Sequence, residues 1–191
     1  DLPNGHADLA KENTKLVNNF KVIEGDYHDL SVFDEGSFDL VFVIEALCHS
    51  QRKTEVFKQV KRILRPGGLF IVFDGHHRYK PETLDSSVLL ASSLVAKGMM
   101  VEKFEYYGDF KSYAESAGFK LIFEEDVSKF ILPTTERFER LVKTFLKVPF
   151  LMKILHALFP YELANNAVSG YLMPDTIRLN IALYAITVFQ S

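Results

Sequence analysis

Apolar positions recur at helical spacing from Ala7 to Phe20, where Ala7, Leu9, Ala10, Leu16, Val17 and Phe20 stand among charged residues, and a helix is expected. Phe20 to Ile23 is a short apolar run ending at Glu24-Gly25-Asp26, which predicts a buried strand entering a turn. After the polar turn Asp34-Glu35-Gly36-Ser37, the segment Phe38 to Ile44 is nearly continuous in apolar character. Strands covered on both faces of a parallel sheet have that composition. Helical spacing returns from about 52 to 64, where Val56, Phe57, Val60, Ile63 and Leu64 share a face. Arg65-Pro66-Gly67-Gly68 then stops the helix and reverses the chain into a third strand, Leu69 to Phe73. Alternation of this kind predicts an α/β fold: a Rossmann-like, doubly wound, mostly parallel sheet with helices on both faces.

The rhythm changes further on. Residues 82–101 read as a helix and loop, Phe110 to Ala117 as a helix closed by Gly118, and Phe119 to Phe123 as a strand. Two or three helices are expected over 134–166, and Met173-Pro174-Asp175 should lead into a β-rich closing segment, Ile181 to Phe189. The stretches 78–107 and 127–180 are therefore additions to a simple repeat, within one domain spanning 1–191. They are the expected helical cap and substrate lid.

Composition narrows the function. A net charge of −3 leaves no basic surplus for a phosphate backbone, so nucleic acid is not the expected partner. The single cysteine, Cys48, forms no internal disulfide and suits a reducing, cytoplasmic setting. It reads as a small buried hydrophobe rather than a nucleophile. Residues 141–159 are strongly apolar, but Lys143, Lys147, Lys153, His156 and Pro149 interrupt them, so two amphipathic helices fit better than a membrane span. Seventeen Phe and eight Tyr without Trp lean towards aromatic burial or an apolar pocket.

Three segments carry a resemblance: Val22 to Leu30, Gly36 to His49, and Val60 to Phe70 with its Arg65-Pro66-Gly67-Gly68. In this order and spacing they resemble the middle motifs of class I S-adenosylmethionine-dependent methyltransferases. Ile44-Glu45-Ala46-Leu47-Cys48-His49 is similar to the sterol C-methyltransferases, and residues 126–134 resemble the tail of small-molecule O- and C-methyltransferases. The resemblance begins at Asp1-Leu2-Pro3, matching the end of the family's second strand, so the first strand and glycine-rich loop are read as absent from this sequence. It implies S-adenosyl-L-methionine as cofactor and O- or C-methylation of a small apolar or aromatic acceptor, with room for a homodimer. The rival reading is a non-catalytic relative that binds a cofactor or partner through the same fold.

The resemblance also assigns residues. Asp1 would receive the ribose hydroxyls, and Asp26 the adenine amino group, with the Tyr27 N–H donating to the ring. Ile44 would lie against the cofactor, and Glu45 would hold the methionine amino group or face the acceptor. His49, one turn on, would stand near the sulfonium, where an imidazole can take a substrate proton near neutral pH. A helical segment would let Glu45 orient it across four residues. Asp74-Gly75-His76-His77 offers a further base, His76, but adjacent histidines in an extended chain point apart and make a poor metal site. Phe104, Tyr106 and Tyr107 are expected either to wall the acceptor pocket or to pack in the core.

Overall fold

The computed structural model describes residues 6–147 and 161–191, so Asp1 and part of the apolar 141–159 stretch lie outside the described residues. Four strands form one sheet: β1 (Phe38–Ile44), β2 (Leu64–His77), β3 (Lys120–Asp126) and β4 (Ala182–Gln190), in the order β1-β2-β4-β3. β1 and β2 are parallel, whereas β4 runs antiparallel to both of its neighbours, β2 and β3.

β2 is longer than expected at both ends. It begins at Leu64, and the shift from the pair Phe38–Leu64 to the pair Leu40–Leu69 accommodates Arg65-Pro66-Gly67-Gly68 as a bulge. Gly67 takes a positive φ of 80°, and a Cβ on Gly68 would sit 2.9 Å from the Arg65 carbonyl oxygen. The run Phe20–Ile23 is not a strand. No described strand pairs with it, β1 pairs only with β2, and Phe20 is exposed. An apolar tetrapeptide without a ladder partner has nothing to hold it extended.

Helices α1 (His6–Thr14), α2 (Lys53–Ile63) and α4 (Tyr107–Ser116) are expected elements, although α1 stops well short of Phe20. α2 buries Val56, Phe57, Val60 and Ile63, the stripe read from its periodicity. Phe57 lies 5.5–6.0 Å from the rings of Phe70, Phe110, Phe119 and Phe189, which join α2, α4 and the sheet in one core.

The remaining helices form a cap: α3 (Ser86–Gly98), α5 (Ser128–Leu146) and α6 (Tyr161–Arg178). α5 starts six residues earlier than the 134 expected, because Asp126 Oδ1 receives the Ser128 N–H at 2.9 Å and turns the chain directly out of β3. Met173-Pro174-Asp175 is not a connector; α6 continues through it to Arg178. Proline there costs about 3 kcal/mol of helix stability. The burial of Pro174 and Ser169, the latter donating to the Val95 carbonyl of α3 at 2.9 Å, offsets that cost. Arg178 reaches Glu136 and Glu139 of α5 at 2.8 and 3.0 Å.

Candidate active site

The carboxyl ends of β1 and β2 meet beneath the cap. Glu45 follows β1 with a positive φ of 49°, uncommon for a residue with a side chain. Its N–H donates to the Phe73 carbonyl of β2 at 2.8 Å, and its Oε1 accepts from the Tyr184 hydroxyl of β4 at 2.9 Å. Tyr184 pairs in the ladder with Gly75. Three adjacent strands therefore fix Glu45.

The chain after Glu45 forms a 3-10 turn, Leu47–His49. Asp74 holds that turn by accepting the Cys48 N–H at 2.7 Å, while its other oxygen takes the Gly75 N–H at 2.9 Å. Burial raises the Asp74 carboxyl above its ordinary range. Burial, with the Asp74 charge beside it, pushes the Cys48 thiol up to about 12, so Cys48 is no nucleophile at neutral pH. Lys53 is buried below them, donates to the Ser50 carbonyl at 2.6 Å, and has its pKa lowered by desolvation.

His49 is exposed, with Nδ1 3.3 Å from the Met100 carbonyl. Glu45 does not orient it: the segment is not α-helical, and the Glu45 carboxylate is engaged by Tyr184. His76 is buried against the rings of Tyr107 and Phe110, neither ring nitrogen having a partner among the described residues. Burial first, then Lys53 and His77, depress its pKa to about 3, so it stays neutral. His77 is buried too, its Nδ1 unpaired. Among the described residues no cluster of His, Cys, Asp or Glu has the arrangement of a metal site.

Asp26 is exposed beside β1. Its carboxylate takes the His28 N–H at 2.8 Å and lies 2.6 Å from His28 Nδ1, which lowers its pKa. His28 Nε2 in turn meets Ser50 Oγ at 2.8 Å, tying the Asp26 turn to the segment after β1. Tyr27 donates its hydroxyl to the Ala46 carbonyl at 3.3 Å. Asp26, Tyr27, Ile44 and Glu45 thus belong to one end of the sheet, where open α/β folds bind ligands. The exposed Asp26 carboxylate and exposed Ile44 side chain suit a ligand with hydroxyl and amino donors and a flat apolar part.

Beside these residues a cavity of about 1010 Å³ opens between the strand ends and the cap. Glu45, His49, Asp74, His76, His77 and Tyr184 form its sheet side; Ser92 and Val95 of α3, Phe130, Phe138 and Phe145 of α5, and Met173 of α6 line the rest. Phe104 lines it as well, but Tyr106 and Tyr107 do not. Tyr107 packs in the core and shares a hydrogen bond with Thr187 at 2.9 Å. The sequence offered no local signal for Tyr184, one apolar position in an alternating strand, nor for the cap aromatics beyond their abundance.

A sheet with β4 running antiparallel between β2 and β3, and with polar side chains gathered at one edge, is an open α/β fold, whose ligands bind outside the carboxyl ends of the strands. Residues 1–72 match the family model described as "Methyltransferase domain". The chain is 27% identical over 135 residues to sterol methyltransferase-like 3 of Botryococcus braunii, covering 68% of this chain and 34% of that protein. It spans about a third of the length of the curated relatives it matches. Among solved structures, the geranyl diphosphate C-methyltransferase of Streptomyces coelicolor, determined with S-adenosyl-L-homocysteine, superposes with a TM-score of 0.69 at 13% identity, covering 96% of this chain and 59% of that one. The [4+2]-cyclase SpnF gives 0.66 at 17% identity, covering 97% and 60%. Over the matched residues the chain is similar to methyltransferases, the sterol C-methyltransferases among them, and its fold is that of the solved methyltransferase structures.

Proposed function

We propose that the protein transfers the methyl group of S-adenosylmethionine to a small apolar or aromatic molecule, by O- or C-methylation, inside the cap cavity. The observation that carries this reading is the large, mostly apolar cavity opening on the strand ends that bear Glu45 and His49. When bound, S-adenosylmethionine supplies an activated methyl carbon on a positive sulfur. The chain's own part is to align, to exclude water and to handle a proton. Asp26 and the Tyr27 N–H hold the adenine, Asp1 the ribose, and Ile44 packs against the cofactor. His49, exposed at the cavity wall, takes the proton that methylation releases. His76, shielded and neutral, is a wall residue in this reading rather than a base.

The test is label transfer from methyl-tritiated S-adenosylmethionine by the full-length protein into phenolic, isoprenoid and sterol acceptors. Label entering an organic extract supports the reading. Cofactor binding without transfer to any of them favours the non-catalytic alternative; the fold alone does not fix methyl transfer, since the cyclase neighbour is named for another reaction. Asp26→Ala should weaken cofactor binding at least tenfold by calorimetry, and unchanged affinity would remove Asp26 from the adenine site. The reading includes a cytoplasmic location, which a single cysteine suits, and a homodimer, to be checked by cell fractionation and sedimentation.

A further inference from the structure

We infer that Tyr184 is the residue that positions Glu45, and that it turns this carboxylate towards the acceptor cavity rather than towards the cofactor's amino group. The inference rests on the methyl-transfer reading above and decides between two roles for Glu45 that its place after β1 leaves equal.

Glu45 is held from two directions. Its backbone is locked in the left-handed region by the hydrogen bond from its N–H to Phe73, a conformation that costs a side-chain-bearing residue of order 1 kcal/mol or more. Strain of this kind persists only where the surroundings over-determine it. The second hold is on the side chain: the Tyr184 hydroxyl donates to Oε1 at 2.9 Å. Tyr184 comes from β4, two strands away across Gly75, its ladder partner. Its own backbone is anchored, the N–H donating to Ser128 Oγ at 2.9 Å and the carbonyl accepting from Val127 at 2.9 Å. Burial and the Glu45 carboxylate raise the Tyr184 pKa, so the phenol keeps its proton and remains a donor. Both residues line the acceptor cavity.

A carboxylate held at that wall can receive a proton from the acceptor. The acceptor's electron pair forms the new bond to the methyl carbon, the carbon–sulfur pair stays on sulfur, and the released proton passes to Glu45 directly or through His49. Tyr184 touches neither reacting atom in this scheme and acts through Glu45.

Tyr184→Phe removes the hydroxyl and keeps the ring, and Glu45→Gln removes the charge. Calorimetry with S-adenosylhomocysteine on the full-length protein should give both variants an affinity within twofold of the wild type. A tenfold or greater loss in either places Glu45 at the cofactor and overturns the inference, whether or not any acceptor has been found. In label transfer, Tyr184→Phe should lower kcat tenfold or more with KM for the cofactor unchanged. The double variant should be no slower than Glu45→Gln alone, because Tyr184 has no route except Glu45. Multiplied losses in the double variant, or full turnover in Tyr184→Phe, contradict the inference. Absent transfer in the wild type removes the methyl-transfer reading and leaves the affinity comparison to decide the orientation of Glu45. Thermal melting of both variants within a few degrees of wild type confirms that folding is intact.

Discussion

In the sheet, Phe57 is fully buried among four aromatic rings at 5.5–6.0 Å; in the cap, Phe130 and Phe138 remain exposed beside a cavity of about 1010 Å³. The two regions contain similar residues in opposite states of packing. A close-packed core repays apolar side chains with stability, whereas apolar side chains around a void are costly unless something fills it. On the proposed function, the sheet side is built to hold positions and the cap side to hold a ligand. The polar groups follow the same division. Asp74 and Lys53 are buried and hydrogen-bonded in service of the turn that carries Cys48 and His49, while Glu45 and Tyr184 meet at the cavity wall.

Substitutions can break this comparison on either side. The largest effect is expected from Phe57→Ala, which empties the centre of the aromatic core and should cost about 3–5 kcal/mol in denaturant unfolding. Next comes Gly98→Ala in α3. A Cβ there would approach Ser169 Cβ at 2.5 Å and the Asn165 carbonyl oxygen closer still, so α3 and α6 must part. We expect about 1–3 kcal/mol, seen by hydrogen exchange as faster opening of α3 and α6 with β1 and β2 unchanged. Uniform loosening of sheet and cap together would deny that the two are distinct.

A smaller effect is expected from acid. His76 is neutral in the folded protein, its pKa depressed to about 3, but it protonates in the unfolded chain near 6.5. The unfolded state therefore binds more protons between those values, and the stabilisation present above pH 6.5 is lost as pH falls. At pH 5.5 the loss from this residue is about 1 kcal/mol. His76→Phe should flatten that limb of the stability profile, and an unaltered acid limb would show that His76 is not its source.

How much of this was legible in the sequence divides along the same line. β1 and α2 were legible as elements because each carries its own local pattern, a continuous apolar run and a single buried stripe. The expected cover on both faces of β1 is not found: among the described residues it is an edge strand with Leu40, Phe42 and Ile44 exposed. The run at Phe20–Ile23 carries a strand pattern too and is not one, because a strand exists only with a partner, which local sequence does not report. Met173-Pro174-Asp175 reads as a connector, yet α6 runs through it, since helix packing in the cap outweighs local preference. Asp26, Ile44, Glu45 and His49 could be placed at one end of the sheet from motif order. The Tyr184–Glu45 contact could not, because it joins residues from β4 and the turn after β1 through a sheet order that no local signal encodes.

The central claim is that the cap cavity holds the acceptor while the strand ends hold the cofactor. Ala167→Trp places a large ring into the cavity from α6, away from Asp26 and Ile44. The decisive measurement is methyl transfer by this variant, with S-adenosylhomocysteine affinity taken on the same sample. The account predicts at least a hundredfold loss of transfer with cofactor affinity within twofold of wild type. Transfer at the wild-type rate with the cavity filled would contradict it.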